Sequence, residues 1–135
     1  MIEIQNLTKR YGQITAVNNI SFTVDKGEIL GFLGPNGAGK STTMNIITGY
    51  IPSTEGTVKV DGYDILESPR EVKKRIGFLP EQPPVYMDMT VIDYLNFVAD
   101  LKKVDKKQKR SQISDIMELV KIGDHRNRQI GRAHV

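Results

Sequence analysis

The sequence of 135 residues contains no cysteine and no tryptophan. Without cysteine the chain cannot form disulfides, thiolate metal sites or a cysteine nucleophile. Its apolar runs are short, residues 29–33 being typical, and a transmembrane helix needs roughly 20 apolar residues. The first residues also lack the charged stretch and apolar segment that mark a signal peptide. These absences predict a globular chain without membrane spans, and they fit a cytosolic protein.

The basic and acidic residues are unevenly distributed, although the formal net charge is only +3. Residues 1–101 carry 9 basic and 12 acidic groups, whereas residues 102–135 carry 10 basic and 4 acidic groups. Most of the excess lies in residues 102–110, a run that is typical of a solvated helix start. No aromatic residue lies between these lysines to stack on a base, so no nucleic-acid partner is expected.

The spacing of apolar residues predicts an α/β chain with a β-rich front. The predicted strands cover residues 2–7, 14–17, 20–24, 29–33, 57–60 and 76–79. Because the runs at 29–33 and 76–79 are continuously apolar, we expect them to be strands buried on both faces. The front half also contains two predicted helices, one from Ser41 to Thr48 and one from Pro69 to about Arg75.

Two amphipathic helices are predicted after residue 90. Thr90 is a candidate N-cap for the first helix, with Asp93 three residues later, and Gly123 is a candidate C-cap for the second. Helical spacing predicts two inward-facing stripes, one in each helix: Val91, Leu95, Val98 and Leu101, then Ile113, Ile116, Met117 and Val120.

A glycine-rich segment between the apolar run at 29–33 and the helix after it matches the P-loop pattern G-x-x-x-x-G-K-S. Its residues are Gly34, Pro35, Asn36, Gly37, Ala38, Gly39, Lys40 and Ser41. Glycines let the backbone N–H groups approach phosphates closely, and the helix N-terminus adds partial positive charge. We therefore expect Lys40 to contact the β- and γ-phosphates, the Ser41 hydroxyl to bind Mg²⁺ and Thr42 to lie near the α-phosphate.

The sequence resembles the nucleotide-binding domain of ABC transporters, because several motifs occur in that family's order. Tyr11 stands where the family's A-loop has an aromatic residue that stacks on adenine, a role that suits a flat π face. Val17 lies in a segment similar to the family's second strand, in which a valine packs against the nucleotide. Residues 34–44 and 56–62 resemble the Walker A segment and the strand and turn that follow it. The resemblance therefore implies that Tyr11 and Val17 join the loop in binding ATP.

Residues 76–82 occupy the position of the family's Q-loop, where a glutamine usually follows the proline and reaches toward Mg²⁺. Here Glu81 follows Pro80 and Gln82 comes next, an order similar to that of ABC-2-type exporters. Either residue could serve as the metal ligand, since Mg²⁺ prefers oxygen ligands. Residues 86–94 would lie near the surface that contacts the membrane partner.

The resemblance implies a P-loop NTPase fold of ABC type and three segments. Residues 1–89 would form the ATP-binding core, residues 90–129 part of the helical subdomain, and residues 130–135 a non-native tail. The implied function is that of the ATP-binding subunit of an exporter, peripheral on the cytoplasmic face of the cell membrane. Its partners would be a transmembrane permease subunit and a second ATP-binding subunit, and its cofactors ATP and Mg²⁺.

The family's signature motif, Walker B strand with its catalytic glutamate, and switch histidine do not occur in these 135 residues. We therefore expect an incomplete domain that holds no catalytic base, with ATPase activity confined to the full-length protein. Residues 130–135 are also what ATC GGA AGA GCA CAC GTC encodes, and this string matches a widely used sequencing adapter. On this basis His134 is not expected to be catalytic. Ile130 and Gly131 could still be native, because the family often has them at this position.

Two alternatives remain open on the sequence alone. One is a soluble ABC ATPase that acts in translation or DNA repair, although such proteins usually carry paired domains or a long insertion. The other is a polypeptide that binds a nucleotide and never hydrolyses it. An ordinary P-loop kinase would need an acceptor site, and no such constellation of residues is visible.

Overall fold

A computed structural model describes residues 1–132, which divide into two compact units. The first unit comprises Met1–Phe78, and the second begins at Leu79. The mixture of sheet and helices confirms the predicted α/β class. The predicted functional division between residues 89 and 90 stays a prediction.

The first unit is built on a four-stranded antiparallel sheet in the order β2-β1-β3-β4. Its strands are β1 (Ile2–Tyr11), β2 (Ile14–Val24), β3 (Glu55–Val60) and β4 (Tyr63–Asp64). The two strand segments predicted at 14–17 and 20–24 are one strand, because an irregularity rather than a turn lies between them. At that irregularity the Asn19 amide donates to Thr8 Oγ1 at 3.0 Å, which keeps β2 attached to β1.

Two helices belong to the first unit, α1 (Lys40–Ile47) and α2 (Pro69–Arg75), close to the predicted bounds. One face of the sheet packs with them into the main core, as the alternation of buried and exposed residues along the strands requires. The most buried members are Ile4, Leu7, Ile46, Val58 and Val72. Val17 is also in this core, with 4% of its surface exposed.

The two runs that were predicted to be buried strands, residues 29–33 and 76–79, are not strands. Ile29, Leu33 and Leu79 are 98%, 94% and 82% exposed, respectively. A strand is stabilised by hydrogen bonds to a neighbouring strand, and no strand among residues 1–132 pairs with either run. The prediction was therefore wrong for the described residues. Phe32 packs against Phe22 and Ile76 against the main core, but no described element covers Ile29, Leu33 or Leu79.

The second unit contains α3 (Val91–Leu101) and α4 (Lys106–Leu119), followed by 3₁₀ turns at Gly123–His125 and Ile130–Arg132. Thr90 is the N-cap of α3, as predicted, and its hydroxyl oxygen accepts from the Asp93 amide at 3.2 Å. Backbone bonds from Val91 and Ile92 to the carbonyls of Arg128 and Arg126 attach the later segment to the start of α3.

Only part of each predicted apolar stripe faces the small core of this unit. Ala99, Ile113 and Met117 form that core, with Val91 and Leu95 packed against it, while Leu101 is 62% exposed. Ile116 and Val120 are also about half exposed, because α4 packs against α3 and the short turn at Gly123–His125 and buries only a narrow face.

The prediction that Gly123 caps α4 was also wrong. The helix ends at Leu119, with Val120 as the C-cap. Lys121 then takes the left-handed conformation, at φ 59°. Gly123 instead starts the first 3₁₀ turn.

The described part of the predicted tail packs within the second unit. The amides of Ile130 and Gly131 donate to the carbonyls of Met89 and Met87, each at 2.9 Å. The rest of the predicted tail, residues 133–135 with His134, lies outside the described residues.

Candidate phosphate-binding site

The phosphate loop is an irregular segment that leads directly into α1. Its first bend is closed by a hydrogen bond from the Ala38 amide to the Pro35 carbonyl, at 3.1 Å. Gly37 and Gly39 both have left-handed backbone angles, with φ of 83° and 92°. Side chains rarely adopt this conformation, so the two glycines allow the backbone to curl ahead of the helix.

Gly39 has a second constraint, because it lies directly against β2. A Cβ atom on Gly39 would stand 2.2 Å from the Ala16 carbonyl oxygen and 3.3 Å from Val17 Cγ2. Any side chain would therefore displace the loop from the sheet. Val17, buried beneath the loop, fixes the position of Gly39 through this packing.

The start of α1 presents several backbone donors without acceptors. Gly39 is the N-cap residue and supplies no side-chain cap, while the Thr43 amide and hydroxyl both bond to its carbonyl. Within residues 1–132 the amides of Lys40, Ser41 and Thr42 have no hydrogen-bond acceptor, as is usual for a first helical turn. No acidic residue occupies that turn, so the positive end of the helix is left for an anion.

The Lys40 side chain turns back over the loop instead of pointing into solvent. Its Nζ donates to the carbonyl of Gly34 and, at 2.8 Å, to that of Pro35. These carbonyls hold the ammonium group at the mouth of the loop. The Ser41 side chain is exposed nearby and Thr42 is half-buried, so both hydroxyls lie at the start of α1 without being sealed in the core.

Tyr11 lies at the end of β1, next to the turn through Gly12, and is 50% exposed. Lys9 Nζ stands 5.0 Å from the centre of its ring and donates to the Pro52 carbonyl at 2.8 Å. The ring is therefore supported by a fixed cation and still presents a free aromatic surface.

Glu81 and Gln82, the two candidate metal ligands from the second unit, lie in an irregular segment and are exposed. Within residues 1–132 there is no cluster of three or more acidic or histidine residues that could hold a metal ion by itself. A divalent ion would thus depend on ligands such as the Ser41 hydroxyl together with oxygens of the bound nucleotide.

Two contributors to this site are not predicted from the sequence. Thr43 is 1% exposed and its hydroxyl bonds to the Gly39 carbonyl at 2.8 Å, so it stabilises the loop-to-helix junction from below. A threonine at this position of a helix could have been expected to bond back by four residues. The contact between Gly39 and the Ala16 carbonyl joins distant segments, and no local pattern indicates it.

Comparison with known proteins agrees with this geometry. The sequence profile of the ABC transporter family matches residues 17–134. Over 120 residues the chain is 36% identical to the linearmycin resistance ATP-binding protein LnrL of Bacillus subtilis, covering 89% of this chain and 39% of that protein. It is also 36% identical to the lantibiotic transport ATP-binding protein SrtF of Streptococcus pyogenes, covering 92% of this chain and 51% of that protein.

Solved structures give the same result for the fold. The chain superimposes on an ATP-binding subunit of an ABC transporter with a TM-score of 0.89, covering all of this chain and 55% of that one, at 24% identity. A dimeric bacterial ABC transporter cassette matches with a TM-score of 0.80 at 26% identity, covering 96% of this chain and 61% of that one.

The fold and the phosphate loop define a P-loop nucleotide-binding protein. More particularly, the chain belongs to the ABC transporter family, as the resemblance in the sequence implied. It spans 39%, 43% and 55% of the length of three curated relatives that it matches. None of the helices among residues 1–132 has the length and apolar character needed to cross a bilayer.

Proposed function

We propose that this chain is the nucleotide-binding part of an ABC exporter's ATP-binding subunit, with ATP as its ligand. The observation that carries the proposal is the start of α1. There Gly39 has a left-handed conformation and lies against the Ala16 carbonyl, and the amides of Lys40, Ser41 and Thr42 have no hydrogen-bond acceptor within residues 1–132. A row of free amides at a helix N-terminus beside a lysine ammonium group is suited to bind phosphates.

Each site residue has a proposed role. Residues 34–42 would enclose the phosphates. Lys40 Nζ would exchange its hydrogen bonds to the loop carbonyls for hydrogen bonds to phosphate oxygens. Tyr11 would stack on adenine, and Val17 would pack beneath the nucleotide and hold Gly39 in place. Ser41, with Glu81 or Gln82, would hold Mg²⁺, which when bound neutralises phosphate charge.

In the whole protein we infer that ATP hydrolysis drives export through a membrane permease, with two ATP-binding subunits acting together on the cytoplasmic face. The relatives support this role by their names, which include antibiotic resistance and lantibiotic transport. We also propose that the chain itself binds ATP without turning it over. The absence of a Walker B segment with its glutamate from these 135 residues supports this proposal.

Titration with a fluorescent ATP analogue tests the binding proposal. Lys40→Ala should weaken binding on the order of 10- to 100-fold, because hydrogen bonds to charged groups contribute about 1.5 to 3 kcal/mol. Lys26→Ala is the matched control, since Lys26 is an exposed lysine in the turn after β2. Equal affinity of the two variants would refute the proposed site. Phosphate release that depends on Lys40 would refute the proposed lack of turnover.

A separate measurement tests the transport role. Cells that express the whole protein and its permease should exclude a fluorescent antimicrobial compound, and Lys40→Ala in that protein should abolish the exclusion. Export that persists with Lys40→Ala would contradict the coupling to ATP, whatever the binding titration shows.

A further inference from the structure

A group of exposed basic residues lies at the turn between α3 and α4, outside the phosphate-binding site. We call it the basic corner and define it as Lys103, Lys106, Lys107 and Arg110. All of its members are exposed. Lys103 has a left-handed backbone conformation, with φ of 58°, at the point where the chain leaves α3. The basic corner therefore accounts for much of the positive charge in residues 102–135.

The acidic residues nearest in sequence to the basic corner are already engaged. Asp100 pairs with Lys109 at 2.8 Å, and this ion pair ties the first turns of α4 to the end of α3. Asp105 caps α4 by accepting from the Lys107 amide at 2.8 Å. Among residues 1–132, no carboxylate forms an ion pair with any residue of the basic corner. No described carboxylate therefore neutralises the charge of the basic corner.

Helix stability does not explain where these residues lie. Lys106 and Lys107 occupy the first turn of α4, which contains no acidic residue. Cations at a helix N-terminus face the positive end of the helix dipole and are unfavourable there. An external anion at the basic corner would offset this repulsion.

Exposed apolar residues lie beside the basic corner. Leu101 is 62% exposed and Phe97, one turn earlier on α3, is 38% exposed. Lysines next to an exposed leucine and an aromatic ring are typical of surfaces that bind the headgroup region of a bilayer. The ring of Phe97 packs against the rings of Tyr86 and Tyr94, with centroids 5.9 and 6.5 Å apart, and residues 98–120 contain no other aromatic residue that could stack on a nucleobase. The chemistry therefore favours lipid phosphates over a nucleic acid.

We propose that the basic corner docks on anionic phospholipid headgroups, with Leu101 entering the interfacial region of the bilayer. This contact goes beyond the proposed function, because it needs neither nucleotide nor permease. It gives the helical unit a direct electrostatic attraction to a membrane surface. The attraction weakens with salt, since the screening length is only about 8 Å at physiological ionic strength.

Vesicle flotation of the 135-residue chain tests the proposal, because aggregated chain sinks while vesicle-bound chain floats. The chain should float with vesicles of mixed phosphatidylcholine and phosphatidylglycerol and should not float with phosphatidylcholine alone. A basic residue near an anionic bilayer contributes about fivefold in partitioning. The triple variant Lys103→Gln, Lys106→Gln, Lys107→Gln should therefore lower the partition coefficient on the order of 100-fold. The matched control removes the same charge from three exposed positions of the first unit, by Lys26→Gln, Lys59→Gln and Arg70→Gln. This control variant should retain most of the vesicle binding.

Three results would overturn the proposal. The first is equal flotation with neutral and anionic vesicles, and the second is an equal loss in the two triple variants, which would indicate net charge alone. In the third, the chain does not float with anionic vesicles but binds RNA, and the triple variant of the basic corner no longer binds that RNA. The same variant should bind the fluorescent ATP analogue like the unmodified chain, so failure of this inference and failure of the nucleotide proposal give different results.

Discussion

Gly39 is the residue on which the phosphate loop depends most. Gly39→Ala would add a Cβ only 2.2 Å from the Ala16 carbonyl, at a φ of 92°. We expect it to lower the free energy of unfolding by more than about 2 kcal/mol and to weaken nucleotide binding at least about tenfold. Urea unfolding and the fluorescent titration measure the two effects.

Gly27→Ala is the control for that variant. Gly27 has a similar φ of 83°, but nothing lies within 4 Å of the added Cβ. We expect a loss of about 1 kcal/mol, the cost of a left-handed alanine alone, with unchanged nucleotide affinity. Equal losses in the two variants would show that the contact with Ala16 has no importance.

The contact between Asp61 and the N-terminal ammonium group makes the stability of the first unit depend on pH. The N-terminal ammonium group donates to Asp61 Oδ1 at 2.7 Å, and this bond and its charge hold the pKa of Asp61 below the ordinary value of 3.8. A carboxyl group whose pKa is lower in the folded state stabilises the fold at pH values above its unfolded-state pKa. This stabilisation is lost as the pH falls through its folded-state pKa. Asp61→Asn should therefore lower the unfolding midpoint at neutral pH, and the difference should shrink as the pH falls through the lowered pKa of Asp61.

The control for Asp61 is Asp25→Asn, because no ion pair involves Asp25 within the described residues. Thermal unfolding followed by circular dichroism at several pH values gives both comparisons. A pH-independent difference between Asp61→Asn and the unmodified chain would contradict the assignment of the N-terminal contact.

At the scale of single elements, the N-cap of α3 offers a direct test. Thr90→Ala removes the oxygen that accepts from the Asp93 amide, and it should cost about 1 kcal/mol of helix stability. Thr90→Ser keeps that oxygen and should behave like the unmodified chain. Urea unfolding monitored by the helical circular dichroism signal measures the stability of both variants. An equal loss of stability in Thr90→Ser and Thr90→Ala would show that the hydroxyl does not cap the helix.

Elements with local signals were predictable from the sequence. The cap at Thr90, the proline that opens α2 and the alternation at residues 20–24 of β2 lie within a few residues of the structures that they determine. The runs at 29–33 and 76–79 were not predictable in this way, because a buried strand also needs partners that are distant in sequence. The loop pattern is local, so it indicated Lys40 and Ser41 as candidate phosphate and metal ligands. The contact between Gly39 and Ala16 joins segments that are distant in sequence, so only the fold shows it.

For the whole molecule, the exposure of the two apolar runs predicts poor solution behaviour. Ile29, Leu33 and Leu79 are 98%, 94% and 82% exposed, and exposed apolar patches promote association between chains. We expect the chain to bind a hydrophobic dye and to self-associate as its concentration rises. Ile29→Ser with Leu33→Ser should reduce both effects. A sharp cooperative melt without dye binding would contradict this expectation.

We propose that the loop from Gly34 to Thr42 binds the phosphates of a nucleotide. Hydrogen–deuterium exchange of the dilute chain, followed by mass spectrometry, tests it most directly. The amides of Lys40, Ser41 and Thr42 have no acceptor within the described residues, so they should exchange rapidly without ligand. We predict that Mg·ATP slows their exchange, that adenosine does not, and that Lys40→Ala abolishes the protection. Unchanged exchange in this loop at saturating Mg·ATP would contradict the account.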